Sequence, residues 1–270
     1  QVFSQGIQWL ERNTGTQPFF LWIDCFDPHE PWDPPRRLAD AYCPNYDGKE
    51  LIIPPLERDG LTDAEWRRIQ ALYMGEITFI DEWLGRLLAT IDRLGLGDTT
   101  AIAFTSDHGT LMGESGLIRK RHDVLIQGET RLPFVIRLPA GRYAGTRVKG
   151  FVQAHDFMPT WLDLVGLEPP ERSTGFSAVP LIDEPDRTLR DFCVTAYGSY
   201  VSVRDCEWNY VCRHGDLYKG EVAAPATLFH LPSDPLEEHN VIDRHPNQVD
   251  RLRRCLQRRL DGDLSQRMPD

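Results

Sequence analysis

The 270-residue sequence contains no continuous apolar run approaching the ~20 residues that a membrane-spanning helix requires. It also lacks an excess of positive charge. A formal net charge of −11 argues against a nucleic-acid surface, so any anionic ligand would need a local cationic pocket. Its six cysteines (25, 43, 193, 206, 212 and 255) show no metal-finger spacing. They read as reduced thiols, with a Cys206–Cys212 disulfide as the alternative. Internal repeats and low-complexity tracts are absent. So are two short patterns that bear on the chemistry below: no aspartate follows another, and no cysteine opens a Cys-x-Pro-x-Arg sequence, Cys43-Pro44 being out of register. What remains is ordinary for a folded domain: 41% apolar and 26% charged residues, in a length that suits one large domain or one plus a small one.

The most informative stretch is 99–121, TTAIAFTSDHGTLMGESGLIRKR. A β-branched apolar run ending at Thr105 leads at once into Ser106, Asp107, His108 and Gly109. That pattern predicts a buried parallel strand delivering polar residues to its carboxyl end, where open α/β sheets place their active sites. Asp107 and His108 offer an oxygen and an imidazole to one cation. Lys120, thirteen residues after Asp107, can return a positive charge to hold an anion. Taken alone, Asp-His-Gly reads equally well as a solvated turn.

Residues 2–12 read as a helix ended by Asn13, Thr14 and Gly15. Pro18–Ile23 reads as a short buried strand, and the proline-rich segment 24–35 that follows reads as an irregular loop walling a site. Its polar residues are Asp27, His29 and Glu30, and taken alone His29 reads as a surface loop histidine capping a turn. Residues 36–60 are polar and broken by proline, and Tyr42, Tyr46 and Lys49 are ordinary loop residues or pocket lining. Thr62-Asp-Ala-Glu65 is a capping box opening the longest helix, with apolar residues from Trp66 to Leu94 at three- and four-residue intervals. Gly95 and Gly97 stop it, and Glu76 and Asp81 within it read as structural. A short helix is expected over 122–129, and a buried strand over 133–138. Residues 147–167 predict a strand and then a helix near Asp156, itself a cap or a buried structural carboxylate. From 191 onward, short alternating runs (192–196, 200–204, 208–212, 227–230) predict a small antiparallel sheet, followed by a helix from Pro246. The fold class expected is therefore α/β: a mostly parallel sheet flanked by helices over 1–185, then a small antiparallel sheet plus helix over 186–270.

Several of these segments together resemble the sulfatase family of the alkaline-phosphatase superfamily. They are Ser106-Asp-His-Gly109, the loop Leu111-Met-Gly-Glu-Ser-Gly116, Lys120, Pro28-His-Glu-Pro31, the Asp156-x-x-Pro-Thr segment, and Leu228-Phe-His-Leu-Pro-Ser-Asp-Pro-Leu-Glu-Glu-His-Asn-Val241. In the loop, Ser115 stands where the family commonly has histidine. The resemblance implies an alkaline-phosphatase-like fold. It makes Asp107 and His108 ligands of one divalent cation, expected to be Ca²⁺, Lys120 a catalytic contact to the sulfate, and His29 a substrate-binding residue that protonates the leaving group. The family nucleophile is a formylglycine made from the cysteine of Cys-x-Pro-x-Arg, and two adjacent aspartates complete its metal site. Neither is in this sequence. The expectation is a carboxyl-terminal portion of a sulfatase-type hydrolase, inactive alone, acting on a small-molecule or carbohydrate sulfate ester. The alternatives are a phosphonate or phosphodiester hydrolase of the same superfamily, or a non-catalytic anion-binding remnant.

Overall fold

Thr62 opens the longest element of the protein, seen here in a computed structural model that describes residues 1–217 and 223–262. Its hydroxyl accepts the Glu65 N–H while the Glu65 carboxylate accepts the Thr62 N–H, the reciprocal cap that the sequence predicts. The chain divides into two compact units: residues 1–103, 116–119 and 136–142, and residues 104–115, 120–135 and 143–270.

The first unit contains α1 (Val2–Arg12), α2 (Arg36–Tyr42) and α3 (Asp63–Arg93). Leu10 of α1 is buried with Leu87, Ile91 and Leu96, and Phe19, Leu21 and Ile23 pack on the same cluster. Residues 18–23 alternate like a strand, with Phe20 74% and Trp22 69% exposed on the other side. They form no ladder, so the strand expected there is an extended segment. The apolar run supplied the alternation, but a strand also needs a hydrogen-bonding neighbour, which only pairing provides. Nearer its start, α3 carries Gly75, where an added Cβ would stand 2.8 Å from Pro34 Cγ and 3.1 Å from Ala39 N. That absence lets the proline-rich loop and α2 lie against the helix. Arg68, 2% exposed, donates to Glu50 and Asp40 and anchors the polar excursion before α3.

β1 (Ile102–Thr105) follows α3, and β2 (Leu111–Met112), β3 (Ile118–Arg119), α4 (Gln127–Thr130) and β4 (Phe134–Arg137) come next. Among the described residues these strands stand in two-stranded sheets of two to four residues. The mostly parallel sheet is not among them. β4 is not buried as expected either: Val135 is 61% exposed.

In the second unit, α5 (Phe157–Leu164) and α6 (Val179–Asp183) precede β5 (Cys193–Tyr197), β6 (Tyr200–Arg204), β7 (Trp208–Arg213) and β8 (Thr227–His230). These last four pair antiparallel in sequence order, as the alternation predicted. Val201, Val203, Trp208, Tyr210 and Leu228 bury one cluster with Val249, Leu252 and Leu256 of α7 (Pro246–Leu260). One buried carboxylate ties together Gln153, Phe176 and Arg190. Asp156 is fully buried, accepts N–H bonds from Gln153 and Phe176, and pairs with the equally buried Arg190. Burial alone would raise its pKa; Arg190 and the two backbone donors outweigh it and hold the carboxyl below the usual range. The strand expected at the start of 147–167 is coil. None of the six cysteines is joined in a disulfide.

Candidate active site

Asp107 and His108 emerge directly after β1, and the turn there is closed by its own polar atoms. Ser106 Oγ donates to the His108 carbonyl at 2.7 Å, and the His108 N–H donates to Asp107 Oδ1 at 2.9 Å. His108 Nδ1 lies 2.8 Å from the Gly109 carbonyl oxygen. A carbonyl only accepts, so Nδ1 carries the proton and Nε2 carries the lone pair. That nitrogen stands 3.3 Å from Lys120 Nζ, which donates to it, and 3.6 Å from Asp107 Oδ2. The structure thus brings together three of the four sequence-predicted residues.

Two donors at right angles on a cation held at ~2.3–2.6 Å stand roughly 3.3–3.7 Å apart. The Nε2–Oδ2 separation falls in that interval, and a cation bound there takes the Nε2 lone pair that otherwise accepts from Lys120. Asp107, 86% exposed at its side chain, is open on its remaining side. The pair fits a divalent cation as two adjacent ligands. Among the described residues no group of three or more His, Cys, Asp or Glu side chains gathers to complete a site. A hard cation takes six or more oxygen-type donors, so two residues are a partial set.

His29 belongs to the first unit. Trp32, fully buried, fixes the loop around it: its indole donates to the Pro28 carbonyl at 2.9 Å and its backbone N–H to Ile52 O at 2.7 Å. Glu76 of α3 accepts the Asp33 N–H at 2.9 Å. The His29 ring rests on Phe26, centroids 4.6 Å apart, and its Nδ1 lies 2.7 Å from Glu30 O and 3.5 Å from Glu30 Oε2. Nδ1 is again the protonated nitrogen. Arg119 grips the same Glu30 carboxylate at 2.5 Å. Burial would raise the Glu30 pKa, but its backbone hydrogen bond and Arg119 hold it below the ordinary range, so it stays an anion beside the imidazole.

Two arginines flanking Lys120 in sequence are held in ion pairs: Arg119 with Glu30, and Arg121 with Asp123. Tyr42 and Tyr46 are loop-holding residues, bonded to Thr78 and to the Lys49 carbonyl. The residue missed altogether is Glu129. It is 5% exposed, its carboxylate accepts the Arg121 N–H, and its carbonyl accepts the Gly109 N–H at 2.7 Å. A glutamate amid polar neighbours gives no periodic signal; only the meeting of segments 109 and 121 on α4 exposes its role.

An oxygen-and-imidazole pair with an adjacent ammonium, at the end of a strand, is an arrangement able to hold a cation or an anion. The family model "Sulfatase" matches residues 1–167, and "N-sulphoglucosamine sulphohydrolase, C-terminal" matches 113–266. The chain belongs to the sulfatase family. It is 30% identical to an arylsulfatase of Clostridium perfringens over 97% of this chain and 57% of that protein. The phosphonate monoester hydrolase of Agrobacterium radiobacter superposes with a TM-score of 0.75 at 24% identity, covering 96% of this chain and 60% of that one. A protein solved with its substrate D-glucosamine-2-N,6-O-disulfate superposes with a TM-score of 0.65 at 23% identity, covering 85% of this chain and 47% of that one. The chain spans about half the length of the curated relatives it matches.

Proposed function

We propose that this chain carries the metal-ligand pair, the anion-binding lysine and the leaving-group acid of a sulfate ester hydrolase. The observation that carries the reading is the Lys120–His108–Asp107 contact, in which a cationic nitrogen, a lone-pair nitrogen and a carboxylate oxygen converge. Asp107 and His108 would hold a divalent cation, Ca²⁺ by family resemblance; when bound, it supplies positive charge to sulfate oxygens. Lys120 adds a second positive charge to the same oxygens, favouring the transition state, in which their charge grows. His29, with Nδ1 committed to Glu30 and its ring seated on Phe26, has Nε2 as the atom from which a proton would pass to the departing oxygen. The nucleophile, a formylglycine in this family, would come from outside the 270 residues. Family membership and the relative solved with a sulfated glucosamine favour sulfated carbohydrates or small-molecule sulfates as substrates.

A second reading is phosphonate or phosphodiester hydrolysis, the former being the activity of one solved protein of the same fold. Both are tested on the full-length protein with 4-nitrophenyl sulfate and 4-nitrophenyl phenylphosphonate. The sulfatase reading expects faster sulfate turnover that is lost on chelation and restored by Ca²⁺. It also expects K120A to cost about 10²–10³ in kcat/KM. Faster phosphonate turnover would install the second reading, and turnover of neither would refute both.

A further inference from the structure

Glu129 sits where the two segments of the candidate site come together, and both of its acceptors are engaged. Its carbonyl oxygen receives the N–H of Gly109, the residue after His108, at 2.7 Å. Its carboxylate receives the N–H of Arg121, the residue after Lys120. The fit is close: a Cβ on Gly109 would lie 2.1 Å from the Gly128 carbonyl, and one on Gly128 would lie 3.1 Å from Leu111 Cδ2. One short turn of helix therefore sets the spacing between the histidine and the lysine whose side chains meet at 3.3 Å.

The turn is itself held. Glu237, 1% exposed, accepts the Gln127 N–H at 2.6 Å through one carboxylate oxygen. Its other oxygen accepts from Asn209 at 2.6 Å and Arg204 at 2.9 Å, on β7 and β6. Asn209 also donates to the Leu125 carbonyl at 3.0 Å, just ahead of α4. The small sheet thereby reaches the start of α4 through a buried carboxylate whose acceptors are all taken.

We infer that Glu129 is a positioning residue for Lys120 and His108, and that Glu237 anchors the turn on which it acts. The inference rests on the proposed anion-binding role of Lys120. Burial opposes charge on Glu129 and pushes its carboxyl up to about 7, so the group is kept at a cost to folding, as a positioning carboxylate would be.

The test uses the full-length enzyme with Glu129→Met, which keeps the volume but removes the acceptor, and Glu129→Gln, which keeps an acceptor for the Arg121 N–H. Inhibition of 4-nitrophenyl sulfate turnover by inorganic sulfate is measured with Ca²⁺ present, and the ¹⁵N resonance of His108 Nε2 is recorded on the chelated protein, where no cation competes with Lys120 and the resonance reports that contact. E129M should raise the sulfate Ki and the KM about tenfold, as expected for a lost charge-assisted hydrogen bond, and shift the His108 resonance. E129Q should restore both to within about threefold of wild type. A loss of active protein with Ki, KM and the resonance unchanged would overturn the proposal, since a merely structural residue lowers only the folded fraction. If E129M does not fold, Glu237→Gln replaces it, because its amide nitrogen must face one of the present donors. An unchanged Ki and resonance there would be equally fatal. If wild type turns over neither ester, the functional reading fails, while the His108 resonance still decides the role of Glu129.

Discussion

Replacing Glu76 by glutamine should stabilise the protein at pH 8 much more than at pH 5. Glu76 lies on the buried face of α3, 3% exposed, where it accepts the Asp33 N–H. Burial, and then the negative charge of Asp27 and Asp33, push its carboxyl up to about 7, while an unfolded glutamate releases its proton near 4.5. Between those values the native state binds more protons than the unfolded state, so stability falls as pH rises through the window and levels off above it. At about 1.36 kcal/mol per pH unit, the loss between pH 5 and pH 8 is roughly 2–3 kcal/mol. Glutamine cannot ionise and keeps an oxygen for Asp33, so the variant escapes the loss. Urea unfolding of both proteins at the two pH values, followed by tryptophan fluorescence, measures it; Trp32, buried against Tyr73, lies in the same loop. Glu129 also titrates near 7, but it is present in both proteins and cancels in the difference. Equal pH dependence of the two proteins would refute the reasoning.

Two further substitutions probe the second unit. Asp156→Ala leaves the Arg190 guanidinium buried without its carboxylate and two backbone N–H groups without their acceptor. It should cost about 3–5 kcal/mol in urea unfolding, and a loss under ~1 kcal/mol would mean that the site floods with water instead. Gly109→Ala places a methyl group against the Gly128 carbonyl and should cost about 1–3 kcal/mol and displace the Gly109 N–H from Glu129. Hydrogen exchange at residue 109 should then quicken; unchanged exchange would show that the turn yields freely.

Most of what was legible in the sequence is local in origin. The cap at Thr62, the stop at Gly95 and the alternation of β5–β8 depend on neighbours within a few residues, and the structure contains each. Asp156 was open between a cap and a buried carboxylate; it serves as the latter, with Arg190 supplied from 34 residues away. The segment 18–23 shows the opposite case. Its apolar composition foretold an extended chain half-packed on α1 and α3, but composition cannot supply a strand partner. For the candidate site, a strand end marks Asp107 and His108, while Lys120 and His29 stand out only through the resemblance to the sulfatases.

The sequence by itself determined which groups can do chemistry: an aspartate and a histidine at a strand end, a lysine thirteen residues on, and a histidine amid prolines. Tertiary structure decided how three of these lie toward one another. It put the proton of His108 on Nδ1 by setting the Gly109 carbonyl beside it, and brought Lys120 to the opposite nitrogen. It also recruited Glu129 and Glu237, whose importance lies in backbone N–H groups that no side-chain pattern records. The physical reason is common to all of these. A residue type fixes what an atom can donate or accept, but only packing removes water and leaves each buried donor one partner to find.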